Sequence, residues 1–497
     1  MKKMVQKLNQ LTYNEMSSDP IKNDYPIRIM QVGDGNFIRG FIDWMIYELN
    51  RKTEFQGSIV SLQATPRGKT VPKLQQQDNL FTLLLRGIQD GKIVNEKHLV
   101  DSISKSINPY TDWKETLKLA EQEELEFLFS NTTEAGIKYE KEPFSEETCP
   151  LSFPAKVVSL LYHRFLHFNG NPDKGWTIIP CELIENNGDE LKKICLQLAK
   201  DWELSSDFFT WLNAACTFCN TLVDRIVPGY PTNEDTKLFE EFGYEDELLT
   251  VAEPYHLFVI EGPAFVQEKL PFQAAGLNVQ FDEVDLYREL KVKLLNAPHT
   301  MLASIGLALG IESVREGMED RLVSSFVTGA LKEEIRETLP SAGKEKALPF
   351  IEQVFDRFAN PTIYHRLADI SLNSYAKFKA RIWPSIFQYT KAFGHPPKRL
   401  VFAFAALLYY FEGVHINRKY EVKDDLRIIQ KFQAFYNELN HSLEQTTQFI
   451  ETIIMEDFSE SKENIADIAL AVAKEFLFIR EVGMKAALEK IERESAL

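Results

Sequence analysis

The run Ile27-Arg-Ile-Met-Gln-Val32 leads straight into Gly33-Asp-Gly35-Asn36, and residues 37–50 then place apolar side chains at helical spacing. A buried strand, a glycine turn and a helix in immediate succession leave a chain few options. The glycines allow the backbone a sharp bend and close approach by another group, and the orphan amides of the first helical turn face whatever occupies that space. Residues 58–63, Ser-Ile-Val-Ser-Leu-Gln, read as a second strand about thirty residues past the turn, the length of one βαβ unit. Such a unit requires a parallel sheet.

Further strand-like runs stand at 125–129 and 176–180, each preceded by a helical stretch (111–123 and 154–168), and a last one at 257–260. Residues 81–85, Asp90-Gly91 and Lys92-Ile-Val94 predict a hairpin added to the same sheet. The stretch 208–222 reads as a mostly apolar helix, and 142–152 and 232–246 as long loops. From about Val284 the pattern changes to amphipathic helices at 301–309, 320–338, 348–358, 400–411, 424–439 and 465–478. No internal repeat is present. The expected fold is α/β, with a Rossmann-type dinucleotide-binding domain over 1–283 and a mainly α-helical substrate domain over 284–497.

Two domains also suit 497 residues of which 44% are hydrophobic, since single cores stop growing well below that length. A formal charge of −17 opposes phosphate backbones and anionic membrane surfaces, so neither nucleic acid nor membrane is an expected partner. Five sparse cysteines argue for a reducing compartment. Cys216-Thr-Phe-Cys219 has the spacing of a metal or redox half-site, but no second Cys/His pair follows it, so no metal is expected. The first ten residues lack the apolar core of a secretory signal, and the longest apolar run, 400–411, is too short to span a bilayer. A soluble, cytoplasmic protein is the expectation.

Lys291-Val-Lys-Leu-Leu-Asn296-Ala-Pro298-His299 carries the chemistry. With Lys291 at 0° on an ideal helix, Asn296 falls at about 140° and His299 at about 80°, so amine, amide and imidazole share one arc. Pro298 has no amide hydrogen and its ring opposes the Leu294 carbonyl, so the helix must distort there. An ammonium beside two neutral donors suits carbonyl reduction, in which one group supplies a proton and the others stabilise the developing negative charge. An ordinary helix with a solvated Lys, a capped Asn and a core His would read the same way. The site falls beside the expected domain boundary, where ligand clefts are common. An amine works as acid and base near neutral pH only if its surroundings favour the neutral form, and Arg288 and Lys293 are the nearby cations that would do so.

On the nucleotide side, Gly33, Gly35, Asn36 and Phe37 are candidate cofactor contacts, and Arg39 is either a phosphate ligand or a solvated helix charge. The third glycine of G-x-G-x-x-G is missing: position 38 is Ile and the next glycine is Gly40. Gln63 stands at the end of the second strand in place of an acidic residue, followed by Arg67 and Lys69, which leaves open the choice between a 2′-hydroxyl and a 2′-phosphate.

Gly33-Asp-Gly-Asn-Phe37-Ile-Arg39, Asn131-Thr-Thr-Glu-Ala-Gly136, Val223-Asp224-Arg225-Ile226 and Lys291-x4-Asn296-x2-His299 together resemble the mannitol dehydrogenase family of polyol-specific long-chain dehydrogenases, over nearly the whole chain. The longer runs 130–137, 175–184, 222–231 and 295–300 are similar to the branch of that family that interconverts D-altronate and D-tagaturonate in hexuronate catabolism. The resemblance implies a metal-independent oxidoreductase using NAD(H) on a small sugar acid. It implies Lys291 as acid/base, Asn296 and His299 as ligands of the substrate oxygens, Asp224 as a group near the ammonium, and Asn131 and Thr132 among the cofactor contacts. Where mannitol dehydrogenases carry Cys-Asp-Asn, this chain has Cys181-Glu-Leu183, so the second oxyanion donor is lost unless Asn187 replaces it. A substrate carboxylate needs a cation. Lys377 and Arg381, four apart on one helix face, and His365 are the candidates, although a solvated basic face would look the same. Rival substrates are fructuronate, mannitol and mannitol 1-phosphate. The short-chain dehydrogenase pattern Tyr-x-x-x-Lys occurs at Tyr287–Lys291 and Tyr375–Lys379, both outside the Rossmann half. A nucleotide-binding sensor without turnover is the non-enzymatic rival.

Overall fold

The computed structural model describes residues 6–16, 21, 24–132, 135–362, 364–413, 422–438, 442–458 and 464–495. It divides into two compact units: residues 1–86 with 94–284, and residues 87–93 with 285–497. The tip of the hairpin groups with the helical unit. There the Gly91 amide donates to the Asp356 carboxylate.

The first unit is built on six parallel strands, β1 (Ile27–Val32), β2 (Ser58–Leu62), β3 (Ile103–Ile107), β4 (Phe127–Ser130), β5 (Thr177–Pro180) and β6 (Thr217–Phe218), in the order β3-β2-β1-β4-β5-β6. That is the Rossmann order, with the switch point between β1 and β4. Both faces are covered, which is why the strands read as apolar runs. Alternation sorts their side chains. Ile29, Ile59, Phe127, Phe129 and Ile179 join Phe41, Trp44, Met45 and Leu49 of the helix after the glycine turn. Met30, Val32, Val60, Leu62, Leu128 and Ile178 join Val157, Leu160, Leu191, Leu198 and Phe208 on the other face.

Several expectations are corrected. The hairpin Phe81–Gln89/Lys92–Val100 forms a separate three-stranded sheet with Thr250–Ala252, and Leu257–Glu261 pairs with Asn220–Asp224 and Val279–Gln280 in another. The apolar stretch 208–222 is a helix only to Ala215, after which it becomes two strands. Buried apolar strands and buried apolar helices share a composition, and the β-branched Thr217, Thr221 and Val223 tip the balance. Cys216 and Cys219 are buried thiols whose pKa burial pushes up to about 12, so neither offers a ready thiolate. The stretch 232–246 holds a helix, Asp235–Phe242, closed by Gly243 in the left-handed region.

The helix after the glycine turn runs over 36–52 with a π-turn at Arg39–Asp43. Asp43 is fully buried, and burial pushes its carboxyl up to about 8 against the Gln31 amide and Arg39 charge beside it. The native state therefore keeps a proton that the unfolded chain sheds from about pH 4 upward. Stability falls through the window from 3.8 to about 8, by up to about 1.4 kcal/mol per pH unit. Asp43→Asn is expected to flatten that slope, seen as a smaller fall of the thermal midpoint between pH 5 and 8. Parallel slopes in parent and variant would refute it.

The second unit is helical. Ala297–Leu309 is buried on nearly every side and packs against Lys398–Phe411, which is itself buried from Arg399 to Phe411. The longest apolar run is thus a core helix. No helix among the described residues is long and apolar enough to cross a membrane.

Candidate active site

In the first unit the glycine turn closes the carboxyl end of β1. Gly33 donates to the Leu62 carbonyl and has φ +125°, and a Cβ there would lie 2.7 Å from the Asn131 carbonyl oxygen, so the position requires glycine. Gly35 has ordinary φ −75° and nothing within 4 Å of where its Cβ would point. The chain has no steric need of its own for glycine at 35, and the open space fits a phosphate resting on the turn. The missing third glycine is accounted for by Gly40, where a Cβ would meet the Val227 side chain at 3.0 Å. Helix and neighbouring segment pack closely there, two residues beyond the motif position.

Arg39 is buried and faces inward: it donates to the Asp34 carbonyl and Asn36 Oδ1, 2.6 Å each, and reaches Thr250 Oγ1 at 3.3 Å. It stiffens the turn and is not a solvated helix charge. It also borders a cleft of about 520 Å³ shared with Gly35, Asn36, Lys69, Lys73 and Tyr230. Gln63 is buried and its Nε2 donates to the Thr65 carbonyl, while Oε1 has no partner.

A second cleft, of about 560 Å³, lies at the ends of β1, β4 and β5 and is lined by Phe37, Asn131, Ala135, Cys181, Glu182, Leu183 and Val223. The Asn131 side-chain amide nitrogen donates to the Cys181 carbonyl at 3.0 Å. The Thr132 amide and hydroxyl both donate to Glu182 Oε1 at 2.9 Å, and Ser130 Oγ donates to Oε2 at 2.9 Å. Glu182 therefore clamps the two strand ends together. Burial pushes its carboxyl up while those donors favour the anion. Sequence reasoning missed this role, although Glu182 stands at the Asp of the Cys-Asp-Asn segment. Thr133 and Glu134 of the 131–136 motif lie outside the described residues.

Asn187 is not a spare donor. It is fully buried, its Nδ2 donates to the Pro180 and Glu182 carbonyls and to Thr221 Oγ1, and its Oδ1 accepts from the Gly188 and Thr221 amides. Leu183, at the place of the missing Asn, is 62% exposed on the cleft wall. Asp224 is buried at the end of Asn220–Asp224.

In the second unit, Lys291–Asn296 is a π-turn in which the Ala297 amide reaches back to the Val292 carbonyl, and the α-helix resumes at Ala297–Leu309 with Pro298 in its first turn. The wider π-turn directly before Pro298 is the distortion that a ring without an amide hydrogen calls for inside a continuous helix. The expected distortion is thus a turn holding one extra residue. In an i→i+5 turn, residues five apart stack, so Lys291 and Asn296 sit closer in azimuth than on an ideal α-helix. Both are half-buried, and the Asn296 side-chain amide makes no hydrogen bond among the described residues. Arg288 pairs with Asp285 and Lys293 with Glu289 at 2.8 Å, so the two cations near Lys291 in sequence are offset by carboxylates.

His299 differs from expectation in its polarity. A hydrogen bond to the Leu295 carbonyl holds the proton on Nδ1, and the buried Nε2 has no partner. Burial, aided by the positive charges of His365, Arg357 and Arg381, pushes its pKa down to about 3. Neutral His299 thus presents an acceptor to the site, suited to a substrate hydroxyl rather than an oxyanion. Its ring lies 4.4 Å from that of Phe358 and 5.8 Å from that of His365. Arg381 Nη1 donates to Thr300 Oγ1 at 3.2 Å and to the Asn296 carbonyl at 3.4 Å, so it stands over the motif. Lys377 Nζ donates to the Ile370 carbonyl at 2.8 Å, which occupies part of its capacity. The structure thus brings Asn296, His299, His365 and Arg381 together. No group of three His, Cys, Asp or Glu side chains among the described residues is placed to hold a metal.

Known proteins fit both halves. Residues 27–274 match the mannitol dehydrogenase Rossmann domain and residues 283–486 the mannitol dehydrogenase C-terminal domain. Altronate oxidoreductase of Halalkalibacterium halodurans is 41% identical over 94% of this chain and 93% of its own length, and altronate oxidoreductase of Bacillus subtilis is 38% identical over 98% of each. Mannitol 2-dehydrogenase of Pseudomonas fluorescens, solved with NAD and D-mannitol, covers 98% of this chain and all of its own at 22% identity and a TM-score of 0.63. A D-sorbitol dehydrogenase in substrate-free form covers 97% of this chain and all of its own at 21% identity and a TM-score of 0.77. The two solved structures support the fold. The domain matches together span the glycine turn and the Lys291 motif alike, and this chain belongs to the mannitol dehydrogenase family.

Proposed function

We propose that this protein interconverts D-altronate and D-tagaturonate with NAD(H). The reading rests on the likeness to altronate oxidoreductases along almost the whole chain, and on a cluster of cations beside the Lys291 motif that a neutral polyol would not require. Bound NAD(H) supplies or takes up the hydride. Gly33, Gly35, Asn36 and Phe37 would hold it, with Arg39 bracing the turn and Glu182 fixing Asn131 and Thr132 behind it.

In the reductive direction Lys291, as ammonium, protonates the ketone oxygen, and in the oxidative direction its neutral amine takes the proton from the alcohol. The Asn296 amide donates to the same oxygen as charge develops. His299 Nε2 accepts a hydrogen bond from a neighbouring hydroxyl and so orients the carbon chain. Arg381, with Lys377 and His365 nearby, offsets the carboxylate.

The test is NADH oxidation against D-tagaturonate, D-fructuronate, D-fructose and fructose 6-phosphate with EDTA present throughout. The expected result is fastest turnover of D-tagaturonate, undiminished by chelation because an amine does the work of a Lewis acid. Preference for one of the other three would reassign the substrate within the family. Chelator-sensitive activity restored by zinc would overturn the amine mechanism, and nucleotide binding without turnover of any of them would favour a sensor.

A further inference from the structure

Lys293 sits in the same π-turn as Lys291, two residues further on and so on the opposite face, and it is only 5% exposed. Sequence spacing suggested a cation that acts on Lys291 through its charge. The structure instead surrounds its ammonium with acceptors: Glu289 Oε1 at 2.8 Å, Gln388 Oε1 at 2.9 Å, the Thr338 carbonyl at 3.3 Å and Thr338 Oγ1 at 3.4 Å. These belong to three elements, namely the helix Val284–Leu290 before the turn, the end of the 3-10 turn Arg336–Thr338, and the helix Trp383–Phe393. Thr338 is itself fixed, since its hydroxyl donates to the Ile335 carbonyl at 2.7 Å.

Burying an ammonium is costly, and its partners at best offset the loss of water. A methionine would fill much the same space with no charge to satisfy, so packing alone has little need of lysine here. What the ammonium adds is direction. Four acceptor atoms converge on one nitrogen and tie the turn to two elements remote from it in sequence. The π-turn needs such a hold because its stacked positions exist only while it keeps the extra residue. Relaxed toward α-helical spacing, it would swing Asn296 back to about 140° from Lys291, away from a shared target. Arg381 holds the far end, donating to the Asn296 carbonyl at 3.4 Å.

We propose that Lys293 is a positioning residue that pins the π-turn, so that the Lys291 amine and the Asn296 amide face one substrate oxygen. The proposal rests on the reading of Lys291 as proton donor and acceptor. It gives Lys293 a geometric task in place of the electrostatic one that its spacing suggests.

Lys293→Met tests it, because Glu289 and Gln388 both reach solvent and the substitution strands no buried charge. On D-tagaturonate kcat is expected to fall about ten- to a hundredfold, the cost of a misplaced reacting group. KM, NADH affinity, the thermal midpoint and the pH at which kcat is half-maximal should stay near those of the parent. A parental kcat would overturn the proposal. So would a half-maximal pH that moves upward, since losing a cation favours the Lys291 ammonium and would show that Lys293 acts through its charge. Should Lys293→Met fail to fold, Gln388→Met removes one hold at an exposed position. A several-fold fall in kcat at a parental thermal midpoint then supports the pin, and a parental kcat overturns it. Amide hydrogen exchange over residues 291–297 of the full chain, read by mass spectrometry, separates the pin from the functional reading. Faster exchange in Lys293→Met than in the parent supports the pin even if Lys291→Ala keeps its kcat, a result that sinks the functional reading alone. Equal exchange overturns the pin.

Discussion

Lys291→Ala is expected to lower kcat by about a hundredfold or more while leaving NADH affinity and the thermal midpoint near those of the parent, the usual worth of a positioned acid/base. The nucleotide turn, Gly33 to Arg39, belongs to the first unit and Lys291 to the second, so the substitution removes a proton donor without touching the cradle. Small primary amines should restore part of the lost rate, most effectively when their pKa lies near the assay pH. Asn296→Ala should cost a similar order through the lost donor to the carbonyl oxygen, and amines should not rescue it. Near-normal kcat in Lys291→Ala with an unchanged pH profile would make the π-turn a structural feature and end the catalytic assignment.

The two glycines of the nucleotide turn should separate cleanly. In Gly33→Ala a Cβ would meet the Asn131 carbonyl oxygen at 2.7 Å from a backbone at φ +125°. Asn131 has little room to yield, since its amide is bonded to the Val32 carbonyl and its side chain to the Cys181 carbonyl. Strain of about 1–3 kcal/mol or more is expected, seen as a lowered thermal midpoint along with lost NADH binding. In Gly35→Ala the protein itself meets nothing within 4 Å, so the midpoint should hold while NADH affinity falls at least tenfold, because the methyl group fills the space kept for phosphate. NADH binding at parental affinity in Gly35→Ala would remove the turn from the cofactor site.

The sheet was legible because β1, β2, β4 and β5 are covered on both faces and therefore carry apolar runs that nothing interrupts. The glycine turn was legible because Gly33 answers a backbone need that no other residue meets. Local pattern fails where distant partners decide. The helix expected through 208–222 yields to strands because Asn220–Asp224 finds an antiparallel partner in Leu257–Glu261. Asn187 looks like a free donor in sequence and is saturated by Pro180, Glu182 and Thr221 once folded. The arc of Lys291, Asn296 and His299 was drawn on an ideal helix, whereas Pro298 is accommodated by a π-turn that only the backbone reveals. The acceptor character of His299 depends on its bond to Leu295.

The most direct test is the fate of the transferred hydrogen. D-Tagaturonate is incubated with this protein and NADH deuterated at the transferring carbon, and the product is examined by NMR. One deuterium on the former carbonyl carbon of D-altronate, absent when Lys291→Ala replaces the parent over the same interval, is the predicted result. Product formed without deuterium, or no D-altronate at all from a folded protein that binds NADH, would contradict the account.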